Sequence, residues 1–218
     1  MLVFIPNMGC SGDMFLASLI DLGADEKKIN KHLRQFGCSI QTSYVRRGHN
    51  RCLLVKPKNA RKRVKIEEIR KIIAKSKLTK RYKQLASSIF EKIVAVEQKM
   101  HATKKVHLHQ LGTKDTLIDI LGTCAALELL REKKVFYSIV GIGRNLGPAT
   151  AEMLKDARAK LQLVDVEHEL TTPTGAAILT TIGTYNEALP PLKVQKVGYG
   201  AGSLNINNNF LRAVKAKI

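Results

Sequence analysis

The sequence predicts an α/β fold, a mixed sheet with packed helices in a single domain, and three observations carry that expectation. Short β-rich apolar runs alternate along the chain with longer segments of helical periodicity, the pattern of strands and helices layered around one core. The 218 residues are 44% hydrophobic, enough to bury the interior of one generous domain. No internal repeat and no long low-complexity linker interrupts them, so residues 1–218 read as one domain, with a basic, partly helical stretch over 46–83 inside it.

The elements follow in order. Leu2 to Ile5 reads as a buried strand, followed by a loop holding Gly9 and Gly12 and an amphipathic helix from Asp13 to Leu22 that Gly23 stops. A second helix over Glu26 to Gln35 ends at Gly37. Ile40 to Arg46 and Cys52 to Lys56 form a hairpin joined through Gly48, His49 and Asn50. Helical spacing returns at Ile66 to Ala74 and at Lys80 to His101, where Ile89, Ile93, Val96 and Met100 share a face. A short VHLH run precedes a strongly helical segment from Asp115 to Leu130. Val135 to Ile142 is β-rich and Pro148 to Lys160 helical. Thr172 suits the cap, and Pro173 the first position, of a short helix ending near Ile182. Lys193 to Tyr199 and Leu211 to Lys217 close the chain as strands. Strand order does not follow from these patterns.

The formal charge is +19, and the stretch from Arg46 to Lys83 carries +14 of it, with 16 Lys or Arg against Glu67 and Glu68. Such a surface attracts anions, whether nucleotides, RNA or an acidic protein, and it is equally compatible with a solvated helical face. Nucleic acid is the weaker partner, because only 5% of residues are aromatic and Tyr82 alone in that stretch could stack on a base. Cys10, Cys38, Cys52 and Cys124 are scattered without a C-x-x-C pair, which disfavours a disulfide framework and a thiolate zinc site and leaves buried thiols. No apolar run is long enough to cross a membrane, and LVFI is too short for a secretory signal, so a soluble cytoplasmic protein is expected, with no membrane partner.

Chemistry concentrates between His101 and Asp119. His107 and His109 lie two apart, so an extended chain points both imidazoles to one side, with His101 near in sequence as a third donor. Asp115 and Asp119 follow at helical i, i+4 spacing, and Gly122 and Ala126 continue their stripe and leave room for a ligand. Asp119 stands among apolar neighbours in LIDIL, where a carboxylate needs a cation or a hydrogen-bond donor. Half-buried histidines on a polar sheet face and a buried Asp bonded to backbone or Arg remain open alternatives. A second candidate is GCSGDM, where Ser11 can cap the first helix and Gly12 lets an anion approach its N–H groups. Asp13 beside that cradle makes most sense with a bridging metal, as magnesium bridges nucleotide phosphates. The glycines at 141, 143 and 147 and at 198, 200 and 202 do not spell a dinucleotide fingerprint and read as sites of close backbone packing. No nucleophile elbow is present.

Taken in order, GCSGDMFLASLIDLGA, VHLHQLGTKDTLIDILGTCAALELL, ELTTPTGAAIL and VGYGAG resemble the N-terminal region of LarC, the nickel-insertion family of nickel-pincer cofactor synthesis. The resemblance implies insertion of nickel, as the substrate ion, into a pyridinium bisthiocarboxylic acid mononucleotide, in a CTP-dependent reaction; with a nucleotide bound, the Asp13 reading above adds magnesium or manganese as an expected companion ion. It implies site residues at Ser11, Gly12, Asp13, His107, His109, Asp115, Asp119, Thr172, Thr174 and Gly175. No catalytic residue is assigned by it, and homo-oligomerisation stays open. The chain departs from the family at Ile5 and Gln110, where acids are usual, and at GRNLGPAT, which lacks a histidine. The family's CTP-handling C-terminal domain would lie beyond residue 218, so a separate partner chain of that kind is expected. Three readings stand in this order: an enzyme component, a non-catalytic relative that binds metal or nucleotide, and an RNA-binding protein.

Overall fold

The computed structural model describes residues 1–59, 63–100, 113–186, 188 and 191–217. The chain runs through β1 (Leu2–Ile5), α1 (Gly12–Leu22), α2 (Glu26–Arg34), β2 (Ser39–Arg47), β3 (Asn50–Lys58), α3 (Ile66–Lys75), α4 (Lys80–Met100) and α5 (Lys114–Leu130). It continues through β4 (Val135–Tyr137), β5 (Val140–Ile142), α6 (Pro148–Asp156), β6 (Leu161–Leu163), α7 (Pro173–Ile182), β7 (Thr184–Tyr185), β8 (Lys193–Ala201) and β9 (Phe210–Lys217). Seven strands form one sheet in the order β2-β3-β8-β9-β1-β4-β7, and β5 pairs with β6 in a separate two-stranded sheet. The large sheet is mixed: β1 runs parallel to β4 and antiparallel to β9, as the α/β expectation requires.

The position of each strand explains its composition. β1 is central and apolar throughout, because both its faces meet other side chains. β2 is an edge strand and alternates exposed with half-buried residues, with Arg51 stacked 3.4 Å from the ring centroid of exposed Tyr44. Gly48, at φ +60°, makes the tight β2–β3 turn that a side chain would strain.

All seven helices among the described residues contribute to one apolar core on one face of the sheet, with Phe4 edge-on to Phe15 at 4.8 Å. α5 is buried on most sides, from Thr116 to Leu127, which is why it reads as nearly uniform apolar sequence. Asn30 ties α2 to the sheet, donating to the Ile40 carbonyl at 3.0 Å and accepting from the Ile40 amide at 2.8 Å. Gly198 and Gly200 let α1 lie directly on β8, since a Cβ at either would run into the α1 backbone. Close packing was the expectation for these glycines, and Gly141 and Gly143 likewise abut the backbone of Asn7 and His168.

Three expectations need correction. The β-rich run from 135 to 142 is two strands, because the chain leaves the large sheet after Tyr137 and β5 pairs with β6 instead. α6 stops at Asp156 rather than near Lys160, because Arg158 takes a left-handed φ of 51° and turns the chain into β6. Met100 is an exposed residue at the end of α4, although Ile89, Ile93 and Val96 are in the core. The four cysteines are buried and free, and burial pushes the Cys10 thiol up to about 12. Among the described residues no helix is long and apolar enough to cross a membrane.

Candidate metal and anion site

Three helices begin around one cleft. α1 opens at Gly12, α5 at Lys114 and α7 at Pro173, and residues from the first turn of each line a cavity of about 570 Å³. That volume falls within the range of small-molecule sites. Their N-termini bring the positive ends of three macrodipoles to the same space. The far wall is β3 from Leu54 to Pro57, with the exposed Lys56.

Local chemistry fixes this convergence. The Thr172 amide donates to the Cys10 carbonyl at 3.0 Å, and the Thr172 hydroxyl accepts from the Gly175 amide at 3.1 Å, as its capping role predicted. Gly175 lies under the cleft rather than on its lining, and its missing Cβ admits the backbone of Cys10 and Ser11. Gly12 does the same for α5, because a Cβ there would overlap the Asp119 carboxylate. Gly122 is filled by Leu16 of α1, so its smallness serves helix packing and not a ligand, contrary to expectation.

Asp13, Asp115 and Asp119 share the cleft. Asp13 accepts from the Ser11 hydroxyl, from the Met14 amide at 2.9 Å and from the Ser203 amide. Ser11 holds the N-cap position but spends its hydroxyl on Asp13 instead of capping α1. Burial raises the Asp13 carboxyl above its ordinary value, the donors opposing and Asp115 adding to the rise. Asp115 is raised by burial, although its residue surface is largely exposed at the mouth. Asp119 is raised well above the ordinary value, by burial first and then by the charges of Asp13 and Asp115. Among the described residues no donor or cation is bonded to the Asp119 carboxylate. That is the unmet need expected of an acid set in LIDIL, and a cation in the cleft would answer it.

Among the described residues no group of three or more His, Cys, Asp or Glu is arranged to hold a metal ion alone. An ion here would draw further ligands from a bound anion or from other residues. His101, His107 and His109 lie outside the described residues, as does Gln110. Ser11, Gly12 and Asp13, which the sequence offered as one candidate, and Asp115 and Asp119, which it offered as another, line the same cavity with Thr172 and Thr174. Thr113, Thr116, Lys56 and Ser203 were not anticipated, since nothing local marks them; only the fold delivers them to the cleft. Ile5 packs with Val3, Phe136 and Val214 on the opposite sheet face, so the acid absent there is not missing from this cleft. Within the basic stretch, Lys56 faces the cleft and Arg70 pairs with Glu91 at 2.7 Å.

Comparison with known proteins bears on what the cleft takes. A family model described as nickel insertion protein matches residues 2–217. A protein of Methanothrix thermoacetophila is 34% identical over 232 residues, covering 100% of this chain and 59% of its own length. The pyridinium-3,5-bisthiocarboxylic acid mononucleotide nickel insertion protein of Staphylococcus saprophyticus is 34% identical, with 96% of this chain and 57% of that protein covered. The protein of the same description from Acetivibrio thermocellus is 30% identical, with 94% and 58% covered. The chain thus spans less than two thirds of the length of the curated relatives it matches. No solved structure matches it.

Proposed function

The chain belongs to the nickel insertion protein family, and from that premise we propose that its cleft binds Ni²⁺ together with a phosphorylated, carboxylated pyridinium mononucleotide and brings the two into reaction. The observation that carries this reading is the mixed character of the cleft, three aspartates beneath three converging helix N-termini. Burial raises the proton affinity of these carboxylates, and a divalent ion would offset the same burial by supplying the opposite charge. The first turn of α5, which has no side-chain cap, and the hydroxyls of Thr113, Thr116 and Thr174 suit phosphate and carboxylate oxygens, with Lys56 as counter-charge.

His107 and His109 enter this proposal as nitrogen ligands for nickel, with His101 as a third. His109 stands four residues before Thr113 on the cleft wall. Asp119 and Asp115 supply oxygen ligands, and Asp13 belongs to the anion loop with Ser11 and Gly12, where magnesium or manganese would accompany a nucleotide. On this reading turnover further requires the nucleotide-handling part that the family resemblance implies, in the same chain or another. Gln110, standing where the family resemblance puts an acid, favours a second reading, a relative that binds metal and nucleotide without inserting nickel.

Calorimetric titration of metal-free protein with Ni²⁺ tests the site. Asp115→Asn with Asp119→Asn, and separately His107→Ala with His109→Ala, should each weaken nickel binding by at least tenfold while the protein stays folded. Unchanged affinity in both would remove this cleft as the nickel site. Nickel transfer to the pyridinium substrate, assayed with a full-length relative present, separates the insertion reading from the binding-only one.

A further inference from the structure

Arg47 is an exception within the basic stretch. Its neighbour Arg46 is exposed, whereas Arg47, the last residue of β2, is 6% exposed. Among the described residues its guanidinium forms no ion pair, and its Nε is buried with no hydrogen-bond partner. A cation buried without a counter-ion is costly to the fold. Apart from a bond to the adjacent Arg46 carbonyl, its other donors converge on one loop. Nη2 donates to the Gly202 carbonyl at 2.8 Å and Nη1 to the Asn205 side-chain oxygen at 3.1 Å. The planar fork thus grips both ends of residues 202–205, which open the β8–β9 connection, where a lysine would reach one acceptor.

Between the two gripped residues stands Ser203, which lines the cleft and donates its amide to the Asp13 carboxylate. Ser203 and Leu204 are exposed and belong to no strand or helix, so burial does not set their place. Gly202 before them lies against Met14 and Ser11, and a Cβ there would come within 3.1 Å of the Met14 sulfur. The far end of the connection is tied as well, since Asn209 donates to the Met8 carbonyl at 3.0 Å. We infer that Arg47 is a positioning residue for the cleft: it fixes residues 202–205 so that the Ser203 amide stays on the Asp13 carboxylate. The other donors to Asp13, the Ser11 hydroxyl and the Met14 amide, are chain neighbours that follow it wherever the loop moves. Among the described donors, Ser203 alone ties that carboxylate to another part of the fold. The consequence for ligands rests on the reading of the cleft as a nickel site given above; the tie from Arg47 to Ser203 does not.

Two variants test this in the full chain, Arg47→Lys and Asn205→Ala. The second removes one acceptor from an exposed position and carries the test if the first does not fold. Amide hydrogen exchange over residues 202–209 should quicken by about tenfold in each, with α5 unchanged. Unchanged exchange there, or faster exchange throughout the chain, overturns the inference. Calorimetric titration with Ni²⁺ reads the consequence. Each variant should bind nickel about tenfold more weakly, the scale of one hydrogen bond to a charged group. In an Asp13→Ala background the same substitutions should cost no further affinity, because Arg47 acts through that carboxylate. Equal losses in both backgrounds would make Arg47 a general structural residue and overturn the inference, as would nickel affinity that neither variant changes. Absent nickel binding in the unsubstituted protein refutes the proposed function, and hydrogen exchange then decides the tie from Arg47 to Ser203 by itself.

Discussion

Replacing Asp119 with Asn should make the metal-free protein more stable at neutral pH and a poorer nickel binder. The carboxyl is raised well above 3.8, the ordinary value, by burial and by Asp13 and Asp115. A carboxyl whose folded pKa exceeds its unfolded value binds more protons folded than unfolded between the two values. Stability therefore falls as pH rises through that interval and stays lowered above it. The Asp119→Asn substitution would keep the shape that Gly12 accommodates and abolish the charge. The gain should be about 1–2 kcal/mol, the usual return from relieving a strained functional position. With a slope of about 2 kcal/mol/M, the urea midpoint at pH 7 would rise by about 0.5–1 M. The advantage should shrink as pH falls and vanish near pH 3, where both states of the wild type are protonated. Saturating Ni²⁺ should reverse the order, since 100-fold excess over Kd stabilises the binder by about 2.7 kcal/mol. A variant less stable than wild type at pH 7, or a difference independent of pH, would show Asp119 to be an ordinary structural acid.

Gly12→Ala places a methyl group against the Asp119 carboxylate; it should cost about 1–3 kcal/mol in urea denaturation and weaken nickel binding, and an unchanged midpoint would mean that the α1–α5 crossing is looser than described. Thr172→Ala removes the α7 cap and should cost about 1 kcal/mol, with Thr172→Ser restoring most of it. Asn30→Ala strips both Ile40 backbone groups of their buried partner. A loss of about 2–3 kcal/mol is expected, and a loss below about 0.5 kcal/mol, the scale of a surface change, would contradict the α2–β2 tie.

The helices and most strands were legible because their burial is local in pattern: α5 needs apolar residues on most sides and β1 on both faces, and each shows it in composition. What failed was decided by distant partners. The 135–142 run reads as one strand until β6 supplies a second pairing site, and three residues at 161–163, all exposed, give no strand signal of their own. Arg158 adopts a glycine-like φ without being glycine, so the end of α6 was invisible. In the cleft, Asp119 announced itself by a charge among apolar neighbours. Thr113, Thr116 and Ser203 are ordinary polar residues whose importance comes only from the strand order that gathers them. The same topology places Ile5 on the far face of the sheet, where it packs against the buried cluster of Val3 and Val214 and away from the cleft.

The two signs of charge in the cleft imply that its ligands should help each other bind. On the proposed reading, Ni²⁺ alone would enter against three helix N-termini, and an anion alone would enter against Asp13, Asp115 and Asp119. Together they would nearly neutralise one another, and the anion's oxygens would add ligands that the aspartates do not complete by themselves, since no three acids, histidines or cysteines among the described residues are arranged to hold an ion alone. Coupling between two such sites is typically about 1–3 kcal/mol, or about 5–150-fold, and must be the same in both directions. Nickel titrations with and without saturating nicotinic acid mononucleotide, a carboxylated pyridinium probe, should differ by that factor, and so should nucleotide titrations with and without nickel. Asp119→Asn should reduce the coupling while leaving nucleotide affinity in the absence of metal equal or higher, because it removes a like charge from the anion's path. Independent binding of the two, or a coupling that survives loss of the aspartates, would place metal and anion in separate sites.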